Sequence, residues 1–546
     1  MPVRQGPWDD NRGEAMPSRL SECQAEHYIS DGGGAFNWRL FTPTERRNIA
    51  IYILGIMMYK FGLEAFNGSI VTLATNRYDY DAYLTNTTPK TFQRVGLMVG
   101  LNQACQCVGS ILIAPLIRRF PSRLVLAGAV LVFGLLSALL LIIDASTGGR
   151  FLPSAFRDHH PEHDFHYYGS YNTDGIIPVY CVAGIAYGMV ELIRRVIPRD
   201  LVGGNVQKLR QVDALVHIFY EVSGTAGAFC TALALIPYLG NNYSFLITPV
   251  CFSLSAAGWF FLSDHGFQSQ RTQVLEDQPP YIQAVVVGFW LFLESIWTGG
   301  HLLFSSRKFI WLLPGYSVAL YAHRYLENSV APAIARRYLG NAAWSQIIVG
   351  GSNLGELFGA LFVILFTNTV ATPIPWLRLD ALLLLITWYL PYWRPEMHQV
   401  SMAWIAAATF LPISFGWAAG DVSLAAYIQA ALARVESKTK NVSSLGAVMA
   451  FLYSAYIVLY AITSPILGSY IDHVYEKTGG PEGNGNIFEA IRNVGSVQFS
   501  VIAVLVLVVT FVPRGSMSLN PKMLHEEDLE HELPGLAPLS SKEDLN

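Results

Sequence analysis

The chain has 546 residues, of which 52% are hydrophobic and only 14% charged. A soluble domain carries about 25% charged residues, so this composition excludes a soluble enzyme or regulatory module and points to a lipid bilayer as the solvent. The net charge is −4 and no basic block is present, which excludes nucleic acid as a partner.

Residues 1–45 form a polar, Gly-rich tail without an apolar core near Met1, so the first helix is expected to direct insertion in place of a cleaved signal peptide. Thr42-Pro43-Thr44-Glu45 is a capping box with proline at the first helical position. Twelve stretches then approach the length of about 20 apolar residues that a crossing needs. They are 48–75, 93–117, 124–143, 176–194, 212–237 and 243–263, followed by 309–335, 343–368, 376–392, 399–420, 443–470 and 493–513. The fold class predicted is an all-α membrane protein with twelve transmembrane helices in two pseudo-repeated halves, 46–263 and 309–513. The linker 264–308 starts polar and continues into the apolar run 284–293, which Glu294 and Gly299-Gly300 interrupt. That run is too short to cross, so it is predicted to lie in the cytoplasmic interface. Residues 514–546 read as an acidic cytoplasmic tail.

Basic residues favour the cytoplasmic side of a membrane. Arg46 and Arg47 precede the first span, and further clusters follow the second, fourth and tenth spans. Both termini are therefore expected in the cytoplasm, in a plasma or vacuolar membrane. The sequons at Asn86 and Asn242 fall on the opposite side and are the expected glycosylation sites. Five of the six cysteines lie in apolar stretches and read as buried thiols, not as a disulfide framework.

The two halves can be matched. Residues 69–78 lie over 329–338, placing Arg77 over Arg337. Residues 100–109 lie over 350–359, with glycine at both ends of each, and 184–188 lie over 416–420. Repeated halves with a site between them are a known carrier plan.

Charge is distributed unevenly. The third, sixth and twelfth spans carry no charge, and the ninth only Arg378 and Asp380 near its start. The first carries Lys60 and Glu64, the fourth Glu191, the fifth Tyr220-Glu221, the seventh His323, Arg324 and Glu327, the eighth Glu356 and the tenth Asp421. A charge at the bilayer centre costs from about 2.5 to over 10 kcal/mol, so such residues face a partner, a water-filled cavity or a substrate.

This pattern resembles the major facilitator superfamily. The resemblance covers 46–513 and implies that the first, fourth, seventh and tenth helices line a central cavity while the third, sixth, ninth and twelfth are peripheral. The family's loop motif between the second and third helices, Gly-x-x-x-Asp-Arg-x-Gly-Arg-Arg, corresponds to residues 114–123. Arg119 and Arg123 fit it, but Arg118 stands at the acidic position and Pro121 at a glycine. The resemblance implies a cytoplasmic gate at Arg118, Arg119 and Arg123. Residues 414–424 and 305–309 are similar to uncharacterised fungal members.

The substrate and proton-coupling candidates are Lys60, Glu64, Asn67, Tyr220, Glu221, His323, Arg324, Glu327, Glu356 and Asp421. Lys60 and Glu64, four apart, share a helix face, as do Arg324 and Glu327, three apart. Carboxylates desolvated there can exchange protons near neutral pH. The expected function is secondary active transport of a small organic solute by alternating access, coupled to protons, with efflux of a fungal metabolite as its expected direction. The protein is expected to be a monomer without a cofactor.

His159, His160, His163 and His166 could bind a metal such as zinc, and residues 62–69 and 197–202 resemble ferroportin, so a metal-ion carrier is the alternative. A non-transporting nutrient sensor is a second alternative. No nucleophile elbow, HExxH or P-loop is present, so an enzyme or direct ATP drive is not expected.

Overall fold

The computed structural model describes residues 38–524 apart from 158–159, 162–163, 195–196, 203–205, 264–278, 367–368, 433–442, 482 and 484. Every regular element among the described residues is helical. In chain order the major helices are α1 (Pro43–Thr85), α2 (Thr91–Arg119), α3 (Ser122–Ser146), α4 (Thr173–Arg194), α5 (Gln211–Leu239), α6 (Ser244–Phe260) and α7 (Tyr281–Ser305). There follow α8 (307–337), α9 (Ala342–Phe366), α10 (374–389), α11 (Val400–Leu432), α12 (Ser444–Lys477) and α13 (Phe488–Val509).

The capping box starts α1. Glu45 N–H donates to Thr42 Oγ1 at 3.2 Å, and Thr42 N–H donates to Glu45 Oε2 at 2.7 Å. The helix ends on Asn86, which adopts the left-handed conformation at φ 49°. We call the end of the bundle where α1 begins basal and the other end apical.

Among the described residues, ten helices are long and apolar enough to cross a membrane by length and composition. One of them is α7. Three expected spans are not among the ten, each for a structural reason. The apolar helix α6 is short. Pro314 and Pro332 lie in α8, whose path is broken by wide turns with an extra residue at Leu313–Val318 and Leu326–Val330. In α10 only Ile374–Leu383 is α-helical before the turns tighten.

The same neighbours recur twice along the chain. Helix α1 packs on α5 and α6, α2 on α4, and α3 on α4 and α6; α8 packs on α12 and α13, α9 on α11, and α10 on α11 and α13. The most extensive contacts joining these groups are α2 with α12 and α5 with α9. The matched glycines follow this plan in part. Gly100 meets Ala461 of α12 while Gly350 meets Phe229 of α5; Gly109 meets α4 at Ile185 while Gly359 meets α11 at Phe415. The third match fails. Gly184 and Gly188 press on α2, whereas Gly416 and Gly420 press on α10. Outward faces of α3, α6, α10 and α13 are apolar and exposed, as at Leu135, Leu254, Leu382 and Val501; such a belt suits lipid contact.

Helix α7 runs through Glu294 and Gly299-Gly300 without a break, longer than the apolar run alone predicts. Both of its ends sit basally. Tyr281 Oη donates to Leu112 O of α2 at 3.0 Å, two turns from the end of that helix, and Gly299 rests on Ala447, one turn into α12. Arg307, just beyond α7, donates to Val512 O at 2.8 Å past the basal end of α13.

The start of the C-terminal tail is anchored and not free. Arg378 Nη2 donates to Ser516 O and Nη1 to Ser518 O, each at 2.6 Å, and Thr372 Oγ1 donates to Pro521 O at 3.1 Å. The acidic stretch beyond 524 lies outside the described residues.

The two sequons differ. Asn86 is exposed at the apical turn. Asn242 is 1% exposed, and its amide donates to Asp144 Oδ2 at 2.8 Å and to Arg150 O at 2.9 Å. A glycan cannot be attached there without breaking this buried network, which overturns Asn242 as a glycosylation site. Expression in a glycosylating host should give an endoglycosidase-sensitive band that disappears with Asn86→Gln and persists with Asn242→Gln; loss with Asn242→Gln alone would contradict this assignment.

Candidate functional site

A cavity of about 670 Å³ lies between the two groups of helices. From the first group it is lined by Lys60, Glu64 and Asn67 of α1, Glu191 and Arg194 of α4, and Asp213, Tyr220 and Glu221 of α5. From the second come Arg324 and Glu327 of α8, Asn353 and Glu356 of α9, and Asp421 of α11. Every substrate or coupling candidate except His323 is thus brought to one cavity.

Three ion pairs stand on its wall, each within one helix. Lys60 Nζ meets Glu64 Oε1 at 2.5 Å, Arg194 Nη2 meets Glu191 Oε2 at 2.6 Å, and Arg324 Nη1 meets Glu327 Oε2 at 2.8 Å. The Tyr220 ring lies between two of them, with Lys60 Nζ 4.5 Å and Arg194 Cζ 4.3 Å from its centroid. Such cation–π contacts contribute about 2 kcal/mol or more when desolvated. The Tyr220 hydroxyl also donates to Glu191 Oε1 at 3.3 Å. Gly224, one turn further along α5, makes room for Lys60: a Cβ there would fall 2.5 Å from Lys60 Cε.

Glu327 has a second partner. Its Oε1 accepts from Ser352 Oγ of α9 at 2.5 Å, and Ser352 in turn meets Ser414 of α11 at 2.6 Å. Glu327 lies within the wide turn Leu326–Val330, a kind of irregularity that recurs at functional sites. Other polar atoms on the wall have no hydrogen-bond partner among the described residues: His217 Nε2, Glu221 Oε2 and Asn353 Nδ2. Buried polar atoms are rarely left so, and these three can engage a ligand or water. Among the described residues, seven carboxylates line the cavity against three Lys or Arg cations.

His323 is a correction. Its Nε2 meets Asp380 Oδ1 of α10 at 2.9 Å, and its ring stacks on Trp417 at 5.0 Å between centroids. Adjacent helical residues point about 100° apart, so His323 and Arg324 cannot face the same space. Arg194 is not among the sequence candidates, although its three-residue spacing from Glu191 matches that of Arg324 and Glu327.

The proposed gate arginines do structural work. Arg123 donates to Leu262 O beyond α6, and Arg119 to Pro279 O before α7. The side chain of Arg118 lies outside the described residues. Each of the two described arginines holds a backbone carbonyl. Of the histidine loop, His159 and His163 lie outside the described residues. His160 Nε2 meets Tyr167 Oη at 3.0 Å, and His166 pairs with Asp164. Among the described residues no group of three or more His, Cys, Asp or Glu forms a metal cluster.

The tightest bridge between the groups is apical and centres on a residue that sequence reasoning passed over. Asp79 of α1 receives Arg336 Nε at 2.6 Å, Arg337 Nη2 at 2.7 Å and Arg337 Nη1 at 2.9 Å, all from α8. Thr91 Oγ1 adds a fourth bond at 2.5 Å. Arg337 also lies 4.0 Å over the Tyr475 ring of α12. The pseudo-equivalent Arg77 instead donates to Tyr171 O at 2.8 Å and Gly169 O at 3.1 Å, within its own group. Asp472 of α12 accepts from the N–H groups of Phe92 and Gln93 at 3.1 and 2.9 Å, sealing the start of α2. At the basal end the wall of the cavity reaches the exposed residues Asp213 and Gln429. The cavity is thus closed apically and reaches the basal surface.

No protein-family model matches the chain, and no curated protein matches it. Solved structures do. A peptide transporter POT in complex with sulfate is 11% identical with a TM-score of 0.56, covering 88% of this chain and 96% of that one. The xylose transporter XylE from E. coli, in a partially occluded inward-open conformation, is 13% identical with a TM-score of 0.54, covering 86% and 98%. The nucleoside transporter NupG is 10% identical with a TM-score of 0.51, covering 86% and 99%. The fold is that of these transporter structures.

Proposed function

We propose that this chain is a secondary carrier that moves a small organic solute by alternating access, coupled to protons. The observation that carries the proposal is a cavity with charged walls from both helix groups, closed at one end by Asp79 with Arg336 and Arg337. Breaking that bridge while closing the basal mouth would expose the same wall to the other side. On this reading the chain consists of two six-helix halves. Helix α7 lies in the basal interface, and the basal end, carrying Arg46, Arg47, Arg119 and Arg123, faces the cytoplasm. The proton-coupling candidates on this reading are Glu64, Glu221, Glu327 and Glu356, all on the cavity wall. One similar structure is a D-xylose–proton symporter, which supports the coupling. The metal-carrier alternative would need a ligand cluster, and three of the cavity's seven acids are instead paired with Lys60, Arg194 and Arg324.

The test is solute uptake into proteoliposomes with and without an imposed proton gradient. Glu64→Gln and Glu327→Gln should each cut gradient-driven uptake by about tenfold or more, the effect of losing a charge-assisted bond of ~1.5–3 kcal/mol, with surface expression intact. Wild-type uptake in both variants would sink the site assignment.

A further inference from the structure

A second chamber adjoins the first. It measures about 1060 Å³ and lies beneath α7, between α2, α4 and α12. Its wall is mainly apolar, with Ile111, Ala114, Leu192, Leu291, Phe292 and Met449 among the lining residues. Gln106, Glu191, Tyr453 and Ile457 line both chambers, so the apolar space and the charged space share a wall. The roof is pinned at its start by Tyr281 on Leu112 O and by Arg119 on Pro279 O. The opposite face of α7 is also apolar: Ile282 is 78% exposed, Trp290 65% and Trp297 81%. A helix lying in the interface buries its apolar side chains at the boundary of headgroups and acyl chains, which puts the roofed chamber beside the acyl chains of the basal leaflet.

We propose that this chamber is the tail subsite of the carrier and that the substrate is a single-chain amphiphile with a cationic head, entering from the basal leaflet beneath α7. The proposal rests on the carrier reading above. The head goes to the charged cavity, where seven carboxylates face three cations and Glu221 Oε2 lacks a partner. The tail stays in the apolar chamber. Moving the chain from lipid to this chamber exchanges one apolar environment for another, so it contributes little to affinity. Discrimination therefore comes from the head, through its charge.

The experiment uses the full-length protein in phosphatidylcholine proteoliposomes and a decyl-trimethylammonium probe carrying a mid-chain diazirine. After photolysis, adducts are mapped by peptide mass spectrometry. Saturable adducts are expected within 106–115 and 449–457 and at the chamber-facing residues Val287, Leu291 and Phe292. Val287→Trp, which narrows the chamber, should reduce them, and Glu221→Gln should weaken half-saturation by about tenfold. The same chain bearing a sulfate head should label far less. Adducts confined to Ile282, Trp290 and Trp297 would overturn the proposal, as would equal labelling by the sulfate probe. Should Val287→Trp not fold, the wild-type adduct map and the head comparison decide alone. Saturable labelling without uptake of the probe would leave the subsite standing and remove the carrier reading.

Discussion

Replacing Asp79 with alanine is expected to open the apical end. The substitution leaves Arg336 and Arg337, whose side chains are 5% and 6% exposed, facing each other without their shared carboxylate. Removing one partner from a buried charge cluster costs about 3–5 kcal/mol. The cost falls on the apically closed state alone, because in an open state both guanidinium groups reach water. A shift of ~3 kcal/mol changes the population ratio by about a hundredfold. A cysteine at Asn328, on the cavity wall, in a background without the native cysteines should then react with an impermeant thiol reagent added apically at a rate raised by about that factor. The triple variant Asp79→Ala/Arg336→Leu/Arg337→Leu should restore slow labelling, since apolar groups of similar volume replace a buried ion cluster at little cost. Unchanged labelling in Asp79→Ala would show that the cluster does not hold the apical end.

The second large effect concerns Lys60. Its ammonium sits 2.5 Å from Glu64 with side-chain exposures of 10% and 11%, and 4.5 Å from the Tyr220 ring. Lys60→Met strands the Glu64 carboxylate and removes the cation–π contact. Thermal unfolding in detergent should show a loss of about 3 kcal/mol, with a smaller loss in Lys60→Met/Glu64→Leu, where no charge is stranded. Additive losses in the double variant would mean that the two groups do not interact. The double variant should nonetheless fail to transport, which separates the pair's part in stability from its part in function.

Much of this arrangement could be read from the chain because it depends on spacing within one helix. Lys60 with Glu64, and Arg324 with Glu327, share a face by helical geometry whatever the tertiary structure does. The exposed apolar faces of α3, α6 and α13 were equally legible, because a span without charges needs no polar neighbour. The capping box at Thr42 was local in the same way. What escaped depends on distant chain segments. Asp79 reads as one acid just beyond an apolar span, and only folding brings it to arginines 257 and 258 residues away. The phase of α8 was hidden by its two wide turns, each of which adds a residue and rotates everything beyond it by about 100°. Asn242 looked accessible because sequons are read by position, while its burial follows from Asp144 and the loop around Arg150.

The central claim is that one cavity is exposed alternately at the two ends. Electron spin-resonance distances across the helix groups test it most directly, with one label pair at Thr85 and Lys477 on the apical rim and another at Asp213 and Gln429 on the basal mouth. Two populations are predicted in each pair, shifting in opposite directions: Asp79→Ala should lengthen the apical distance and shorten the basal one. A single distance at each end that Asp79→Ala leaves unchanged would contradict alternating access.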